Sequence, residues 1–153
     1  MTYPTLQTRG DILLKADFTG GATPTFTNFC GATQISMALA NAVSETQVGD
    51  CEDWKAPIKT IAAYQSQTVT VSINAHLSVG NRSKLIRWAV DQLLIPLQFV
   101  IVDAAVGEIE TIEGVGMLPE LNIDNIYSVA DGATVSAALN IRFADGVTLT
   151  NAT

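Results

Sequence analysis

The stretch Thr68-Val69-Thr70-Val71-Ser72-Ile73-Asn74-Ala75-His76-Leu77 alternates strictly between polar and apolar side chains. A period of two indicates a strand with one buried face. Residues 34–41 and 133–143 repeat this pattern. The three stretches together predict a sheet whose apolar face covers a core and whose other face meets solvent.

The polar faces of these three strands are built from short, uncharged side chains. They are Gln34, Ser36, Ala38, Ala40, Thr68, Thr70, Ser72, Asn74, Thr134, Ser136, Ala138 and Asn140. Lys, Glu and Arg, which cover most protein surfaces, are nearly absent from them. Two interpretations stay open. The faces form the smooth wall of a water-filled channel, or they belong to an ordinary exposed sheet rich in Thr, which favours strands.

The remaining strands are predicted from weaker patterns. Residues 11–18 and 25–30 read as strands, and 97–113 reads as a hairpin around a turn at 104–107. A further strand is predicted within 115–127, where Leu121 and Ile123 alternate with polar residues.

One helix is predicted over 83–94, where apolar residues recur at helical spacing and Pro96 ends the pattern. Its apolar stripe consists of Leu85, Ile86, Ala89, Val90, Leu93 and Leu94. Asn81 or Ser83 is expected to cap its start. The whole chain, residues 1–153, is therefore predicted to be a single, mainly β domain. The expected architecture is a β-sandwich or barrel-like fold with one flanking α-helix.

A long connection, residues 42–67, joins two of the predicted strands. Its first half is acidic, and its second half carries Trp54, two lysines and Tyr64. A connection of this length in a compact domain usually has a function. The two aromatic residues either anchor a partner or pack back on the domain's own core.

Three basic residues, Arg82, Lys84 and Arg87, lie close together near the start of the predicted helix. This cluster is interpreted either as a solvated helix face or as a basic patch that meets an acidic patch on a neighbouring copy. Both interpretations are compatible with the residues alone.

The composition limits the classes of partner. Charged residues make up 15% of the chain, the formal net charge is −7 and the pI is about 4.4. Nucleic-acid-binding grooves need clustered Lys and Arg, so such a groove is not expected. The sequence shows neither a membrane-spanning stretch nor a signal peptide, which predicts synthesis in a cytoplasm. The low charge content is expected of a surface that partners cover or of a neutral polar surface.

No catalytic or metal site is predicted. The pair Glu108 and Glu110 lacks the cleft that glycosidases build around two carboxylates. His76 is the only histidine, and no nucleophile motif accompanies it. Cys30 and Cys51 form no C-x-x-C pair and are expected to be free, partly buried thiols. Gly114-Val115-Gly116 does not extend to a phosphate-binding motif. The sequence therefore predicts a protein that is not an enzyme and uses no cofactor.

The order of these elements resembles the tail tube proteins, or major tail proteins, of long-tailed bacteriophages and of related gene transfer particles. The resemblance starts at Phe26-Thr27-Asn28-Phe29-Cys30-Gly31-Ala32-Thr33 and continues through the strand 34–41. It then includes the acidic segment Val48-Gly49-Asp50-Cys51-Glu52-Asp53-Trp54 and the strand that begins at Thr68. The helix, the hairpin and the strand 133–143 complete it, so that it covers about residues 11–148.

The resemblance implies a β-sandwich subunit whose copies form hexameric rings, stacked into a tube through which DNA is delivered. It implies that the loop 42–67 and two arms, residues 1–10 and 146–153, bridge neighbouring subunits and rings. The implied lumen-facing residues are Gln34, Ser36, Thr68, Thr70, Ser72, Asn74, Thr134, Ser136, Asn140, Glu108 and Glu110. The implied contact residues of the loop are Glu45, Asp50, Glu52, Asp53, Trp54, Lys55, Lys59 and Tyr64.

The resemblance also implies partners and a location. Tape-measure, tail terminator and baseplate proteins are expected to bind the tube, DNA is expected to pass through without specific binding, and no membrane is involved. The expected location is the virion tail, after synthesis and assembly in the host cytoplasm. The alternatives are a head–tail connector or tail terminator ring, and a secreted carbohydrate-binding β-sandwich.

Overall fold

A computed structural model describes residues 2–153, which form eight strands and one helix. The elements are β1 Ile12–Ala16, β2 Thr27–Asn28, β3 Ala32–Val48, β4 Lys59–His76, α1 Arg82–Val90, β5 Ile95–Ile101, β6 Ile109–Asp124, β7 Ser136–Phe143 and β8 Thr148–Asn151. The strands form one antiparallel sheet in the order β2-β1-β5-β6-β7-β4-β3, and β8 pairs with β6 outside this path. The predicted mainly β fold with one helix is confirmed, and within residues 2–153 the sheet is a single open one.

A single buried core lies on one side of the sheet. It consists of Leu14, Ala16, Val69, Val71, Ile73, Ala75, Leu85, Trp88, Ile95, Leu97, Phe99, Ala137, Leu139, Ile141 and Phe143. These residues come from β1 and β5 in one half of the sheet, from β4 and β7 in the other, and from α1. Because the two halves of this one sheet contribute to the same core, the sheet must curl around that core.

Strand β6 connects the two halves of the sheet. Its first part pairs with β5 and its second part with β7. Gly114 and Gly116 lie in this strand, on its core side. A Cβ atom on Gly114 would lie 2.6 Å from Cδ2 of Phe143, and one on Gly116 would lie 2.8 Å from Cδ1 of Leu97. Glycine is therefore required here because the core side chains occupy the space over the bare backbone.

The helix differs from its prediction at its end and in its buried face. It spans Arg82–Val90 rather than 83–94. Gln92 has φ 53°, and the Leu93 N–H donates to the Trp88 carbonyl oxygen (3.2 Å), which closes the last turn before the chain enters β5. Leu85 and Trp88, three positions apart, are its buried residues. Of the rest of the predicted stripe, Ala89 is half-buried, and Ile86, Val90, Leu93 and Leu94 are exposed, so these four were assigned wrongly.

The expected cap is also absent. Asn81 occupies the N-cap position, but its side chain makes no capping hydrogen bond. Its Oδ1 accepts a hydrogen bond from the Ser78 N–H (2.9 Å), and its Nδ2 donates to the Cys30 carbonyl oxygen (3.1 Å). The side chain therefore fastens the start of α1 to the segment before β3.

The predicted loop 42–67 is wrong in its bounds, because most of it is strand. β3 continues to Val48 and β4 begins at Lys59, which leaves only 49–58 as an irregular connection. The two strands pair along this stretch, for example Val43 with Tyr64, with one register shift at Ala42/Val43. β4 pairs with β7 only from Thr70 onward, so residues 42–67 form a hairpin that projects from the sheet. Both of its faces are solvated, and the period-two pattern that reveals a half-buried strand is therefore weak.

The two chain ends differ from each other. Residues 2–8 form neither helix nor strand and are exposed, as an arm would be, and Met1 of the predicted arm 1–10 lies outside the described residues. The predicted C-terminal arm 146–153 contains β8, which pairs with β6 in the same subunit. In the structure this segment is thus folded onto the sheet instead of extending away from it.

Candidate lumen and assembly surfaces

The solvent side of β3, β4, β7 and the C-terminal part of β6 is a continuous surface, here called the polar face. Its register places Ser36 beside Ser72, Ser72 beside Asn140 and Asn140 beside Glu120. The predicted lumen residues on this face are Gln34, Ser36, Thr68, Thr70, Ser72, Asn74, Ser136 and Asn140. Thr134 lies just before β7, with its hydroxyl 3.1 Å from Nδ1 of His76. Residues predicted from three separate stretches thus form one surface.

Hydrogen bonds cross the polar face from strand to strand. Oγ of Ser72 donates to Oδ1 of Asn140 (3.5 Å), and Nδ2 of Asn140 donates to Oε2 of Glu120 (3.2 Å). Nδ2 of Asn122 donates to the other carboxylate oxygen of Glu120 (2.9 Å). The Asn122 and Asn140 amides lower the pKa of Glu120, against a smaller desolvation effect. Glu120 is therefore a fixed negative charge on this face at neutral pH.

The charges of the polar face are not those that the sequence suggested. Glu120 and Asp124 lie on it and are negatively charged, and Arg142 on the same face is positively charged. Glu108 precedes β6, and its carboxylate accepts a hydrogen bond from the Ala105 N–H (3.1 Å) in the turn before that strand. Glu110 is exposed in the first part of β6, where the register with β8 shifts. Neither Glu108 nor Glu110 belongs to the polar face. The sequence signal that indicates the face of Glu120 is its alternation with the apolar residues Leu121 and Ile123.

The projecting hairpin, residues 42–67, exposes large apolar side chains at both its tip and its sides. Trp54 is 92% exposed and Tyr64 is 82% exposed. Val43, Val48, Ile58 and Ile61 are also exposed. The predicted contact residues all lie on this hairpin: Glu45 on β3, Asp50, Glu52, Asp53, Trp54 and Lys55 in the connection, and Lys59 and Tyr64 on β4. An apolar surface of this kind is typical of a protein contact site, and Trp54 does not pack on its own core.

The tip of the hairpin is held in one shape by its own aspartates. Oδ1 of Asp50 accepts hydrogen bonds from the N–H groups of Glu52 (2.8 Å) and Asp53 (3.2 Å). Oδ1 of Asp53 accepts one from the Lys55 N–H (3.0 Å). Such Asx turns fix the backbone on both sides of Trp54. A preformed tip loses less conformational entropy on binding than a flexible loop does.

The edge strand β3 has an uncovered apolar side. Ile35 pairs with Ile73 and Leu39 pairs with Val69, so both lie on the core side of the sheet. Ile73 and Val69 are buried, whereas Ile35 is 38% exposed and Leu39 is 51% exposed, because β3 is the last strand of the path. Its free backbone groups can pair with another chain.

Among residues 2–153 there is no group of three or more His, Cys, Asp or Glu residues that could hold a metal ion. Within the same range, no helix is long and apolar enough to cross a membrane. Cys30 and Cys51 are free thiols, and both are exposed rather than partly buried as predicted.

Comparison with protein families gives one clear match. The family model described as phage tail tube protein matches residues 7–141, which is most of the chain. No curated protein matches the chain by sequence.

Several solved structures share the fold. The tail of an empty gene transfer agent particle, refined with C6 symmetry, is 16% identical with a TM-score of 0.65, over 95% of this chain and 99% of that one. The SPP1 tail tube is 12% identical with a TM-score of 0.61, over 95% of this chain and 79% of that one. The sheath/tube terminator of the PVC extracellular contractile injection system is 9% identical with a TM-score of 0.61, over 97% and 98%. At these identities the likeness concerns the fold.

Proposed function

This chain belongs to the phage tail tube protein family, and from that premise we propose that six copies form a ring and that the rings stack with the polar face towards the lumen. The subunit is a structural component of a phage-type tail. The C6 symmetry of the gene transfer agent tail, whose subunit shares this fold, supports six as the ring number.

The chemistry of the polar face supports its place in the lumen. Its Ser, Thr, Asn and Gln side chains are short, and Arg142 accompanies two acidic residues of the same face, Glu120 and Asp124. Tight binding of a phosphate backbone needs several Lys or Arg contacts, which this surface does not offer. DNA can therefore move along such a wall without being held.

The exposed apolar surfaces support assembly with other copies. The uncovered side of β3 at Ile35 and Leu39 lies at an open sheet edge, where a neighbouring subunit in the ring can cover it. The projecting hairpin carries the second exposed apolar surface, around Trp54 and Tyr64. The single observation that carries the proposal is the joint presence, on one subunit, of a polar face of mostly short, uncharged side chains and two uncovered apolar contact surfaces.

The family membership sets the remaining expectations. Tail tube proteins are structural, and we propose that this chain has no catalytic activity and works in the virion tail after assembly in the host cytoplasm. Tape-measure, terminator and baseplate proteins are the proposed partners inside and at the ends of the tube. Related folds occur in the anti-feeding prophage baseplate and tube-terminating cap, which supports contacts of this kind at tube ends.

A labelling experiment tests which face lines the lumen. In a Cys30→Ser/Cys51→Ser background, Ser72→Cys places a thiol on the polar face, and the matched control Val106→Cys places one in the exposed turn before β6. Assembled tubes are treated with a maleimide on a polymer too large to enter the lumen. We expect the thiol at position 106 to react and the one at 72 to react only after dissociation. Equal labelling of both in intact tubes would contradict the orientation.

A terminator ring is the second candidate function, because the PVC sheath/tube terminator has the same fold. A terminator forms one ring and stops, whereas a tube subunit stacks. Electron microscopy of the purified protein separates the two, since single rings at every concentration would favour the terminator.

A further inference from the structure

The two ends of the subunit carry complementary surfaces. At one end is the tip of the projecting hairpin, with Glu52 and Asp53 beside the exposed Trp54. At the other end α1 begins, after a five-residue connection that follows β4. Its exposed surface combines Arg82, Lys84 and Arg87 with apolar side chains. We infer that the hairpin tip of one copy docks on the α1 surface of a copy in the adjoining ring. This inference rests on the proposed stacking.

The fold prevents the two surfaces from meeting within one subunit. Strand β4 spans 18 residues, with the hairpin tip before its first residue and α1 after its last. At about 3.3 Å per residue, the strand is roughly 60 Å long. The start of α1 is tied to the far end of β3 through Asn81 and the Cys30 carbonyl oxygen. Any contact between tip and helix is therefore made between copies.

Charge distinguishes the helix from the other exposed apolar surfaces. Of the eight Lys and Arg residues of the chain, three lie on α1. Lys55 and Lys59 belong to the hairpin itself, Lys15 and Arg142 lie on sheet strands, and Arg9 lies in the turn before β1. The exposed apolar segment that contains Ile126, Tyr127 and Val129 has acidic neighbours, Asp124 and Asp131, which would repel an acidic tip. The basic cluster on α1 attracts it.

The helix surface also offers apolar area for the tip. Ile86 is 41% exposed and Val90 is 73% exposed, one turn apart on the side of α1 that the core leaves free. Leu93 and Leu94 extend the strip beyond the helix end. The first turn of α1 contains no acidic residue. No negative side chain within that turn therefore compensates the partial positive charge at the helix N-terminus. A tip that combines a tryptophan with carboxylates matches a surface that combines apolar and cationic groups.

The inferred contact is heterologous, because it joins different surfaces of two copies. A repeated heterologous contact that does not close on itself produces a filament. Contact of tip and helix between rings would therefore set the direction in which rings add, and would give every ring one acidic end and one basic end.

A charge-reversal pair tests the contact. Arg82→Glu with Arg87→Glu reverses the helix surface and leaves Lys84, which lies over the Phe18 ring, in place. Glu45→Lys with Glu52→Lys reverses the hairpin and spares Asp50 and Asp53, which organise the tip. Either reversal should raise the critical concentration for tube formation at least about tenfold at low salt, since close interfacial charge pairs have couplings of this size. Combining both reversals should bring the critical concentration most of the way back to the wild-type value.

Asp131→Lys with Asp145→Lys is the matched control, because it changes the net charge by as much as the hairpin reversal does, while both exposed residues lie outside the contact. The wild type and all variants are compared by sedimentation and electron microscopy, with circular dichroism to verify folding. If wild-type tubes form and the reversals have no effect, or the combined variant is no better than either, the contact is wrong and the proposed function stands. If the wild type forms neither rings nor tubes, both are overturned.

Discussion

Replacing Trp54 by Ala should leave the isolated subunit folded and weaken its assembly. The indole is 92% exposed in the subunit and packs on none of its core, so its removal takes little from the folded state. The free energy of unfolding is expected to change by less than about 0.5 kcal/mol, as for other exposed positions.

The effect on assembly can be worked from area. A tryptophan presents roughly 200 Å² for burial. If a neighbouring copy covers about 80 Å² of that surface, the contribution is about 2 kcal/mol at ~25 cal/mol per Å². That difference corresponds to roughly a 30-fold increase in the critical concentration for tube formation.

Two measurements and one control decide this prediction. Sedimentation gives the critical concentration, and urea unfolding of the dilute subunit gives its stability. Tyr127→Ala is the control, because this aromatic residue is 84% exposed but lies outside the projecting hairpin. An unchanged critical concentration for Trp54→Ala, or a loss of more than about 1 kcal/mol of folding stability, would refute the assignment of Trp54 to a contact surface.

Three further predictions concern the subunit itself, measured by denaturation below the assembly concentration. Gly114→Ala should cost about 1–3 kcal/mol because its Cβ would overlap the Phe143 ring, whereas Gly49→Ala, which meets no atom within 4 Å, should be nearly neutral. Equal stabilities would argue against the packing of β6. Trp88→Ala should cost about 3–5 kcal/mol, because the side chain is fully buried against Phe18. Hydrogen bonds from Thr19 lower the pKa of the buried Asp17, the hydroxyl more than the backbone N–H. Desolvation by burial raises this pKa by a smaller amount. The unfolded chain therefore binds the proton more readily, and stability present above about pH 4 is lost as the pH falls through the folded pKa. In Asp17→Asn this loss between pH 6 and pH 3 should be smaller, and an unchanged pH dependence would exclude Asp17 as its source.

Strands with one buried face were predictable from the sequence, because burial imposes a period of two on the side chains. The polar face follows from the same pattern, since Ser72, Asn74 and Asn140 alternate with buried Val71, Ile73 and Leu139. The family resemblance, drawn from the order of these elements, is confirmed.

The parts that the sequence did not reveal are those where burial gives no one-sided pattern. The projecting hairpin is solvated on both faces, so the sequence pattern predicts a loop where the structure has two strands. The helix exposes Ile86 and Val90 and buries Trp88, because packing against Phe18 rather than apolar periodicity decides which side faces the core. The acidic residue of the polar face, Glu120, depends on the register of β6 with β7, which includes a shift between Met117 and Glu120. Sequence spacing alone cannot supply that register.

A reconstruction of the assembled wild-type tube by electron cryomicroscopy tests the central claim most directly. The account predicts six subunits per ring, with Ser72, Asn140 and Glu120 lining the lumen and α1 away from it. A tube whose lumen is lined by α1, or a particle limited to one ring, would contradict the account.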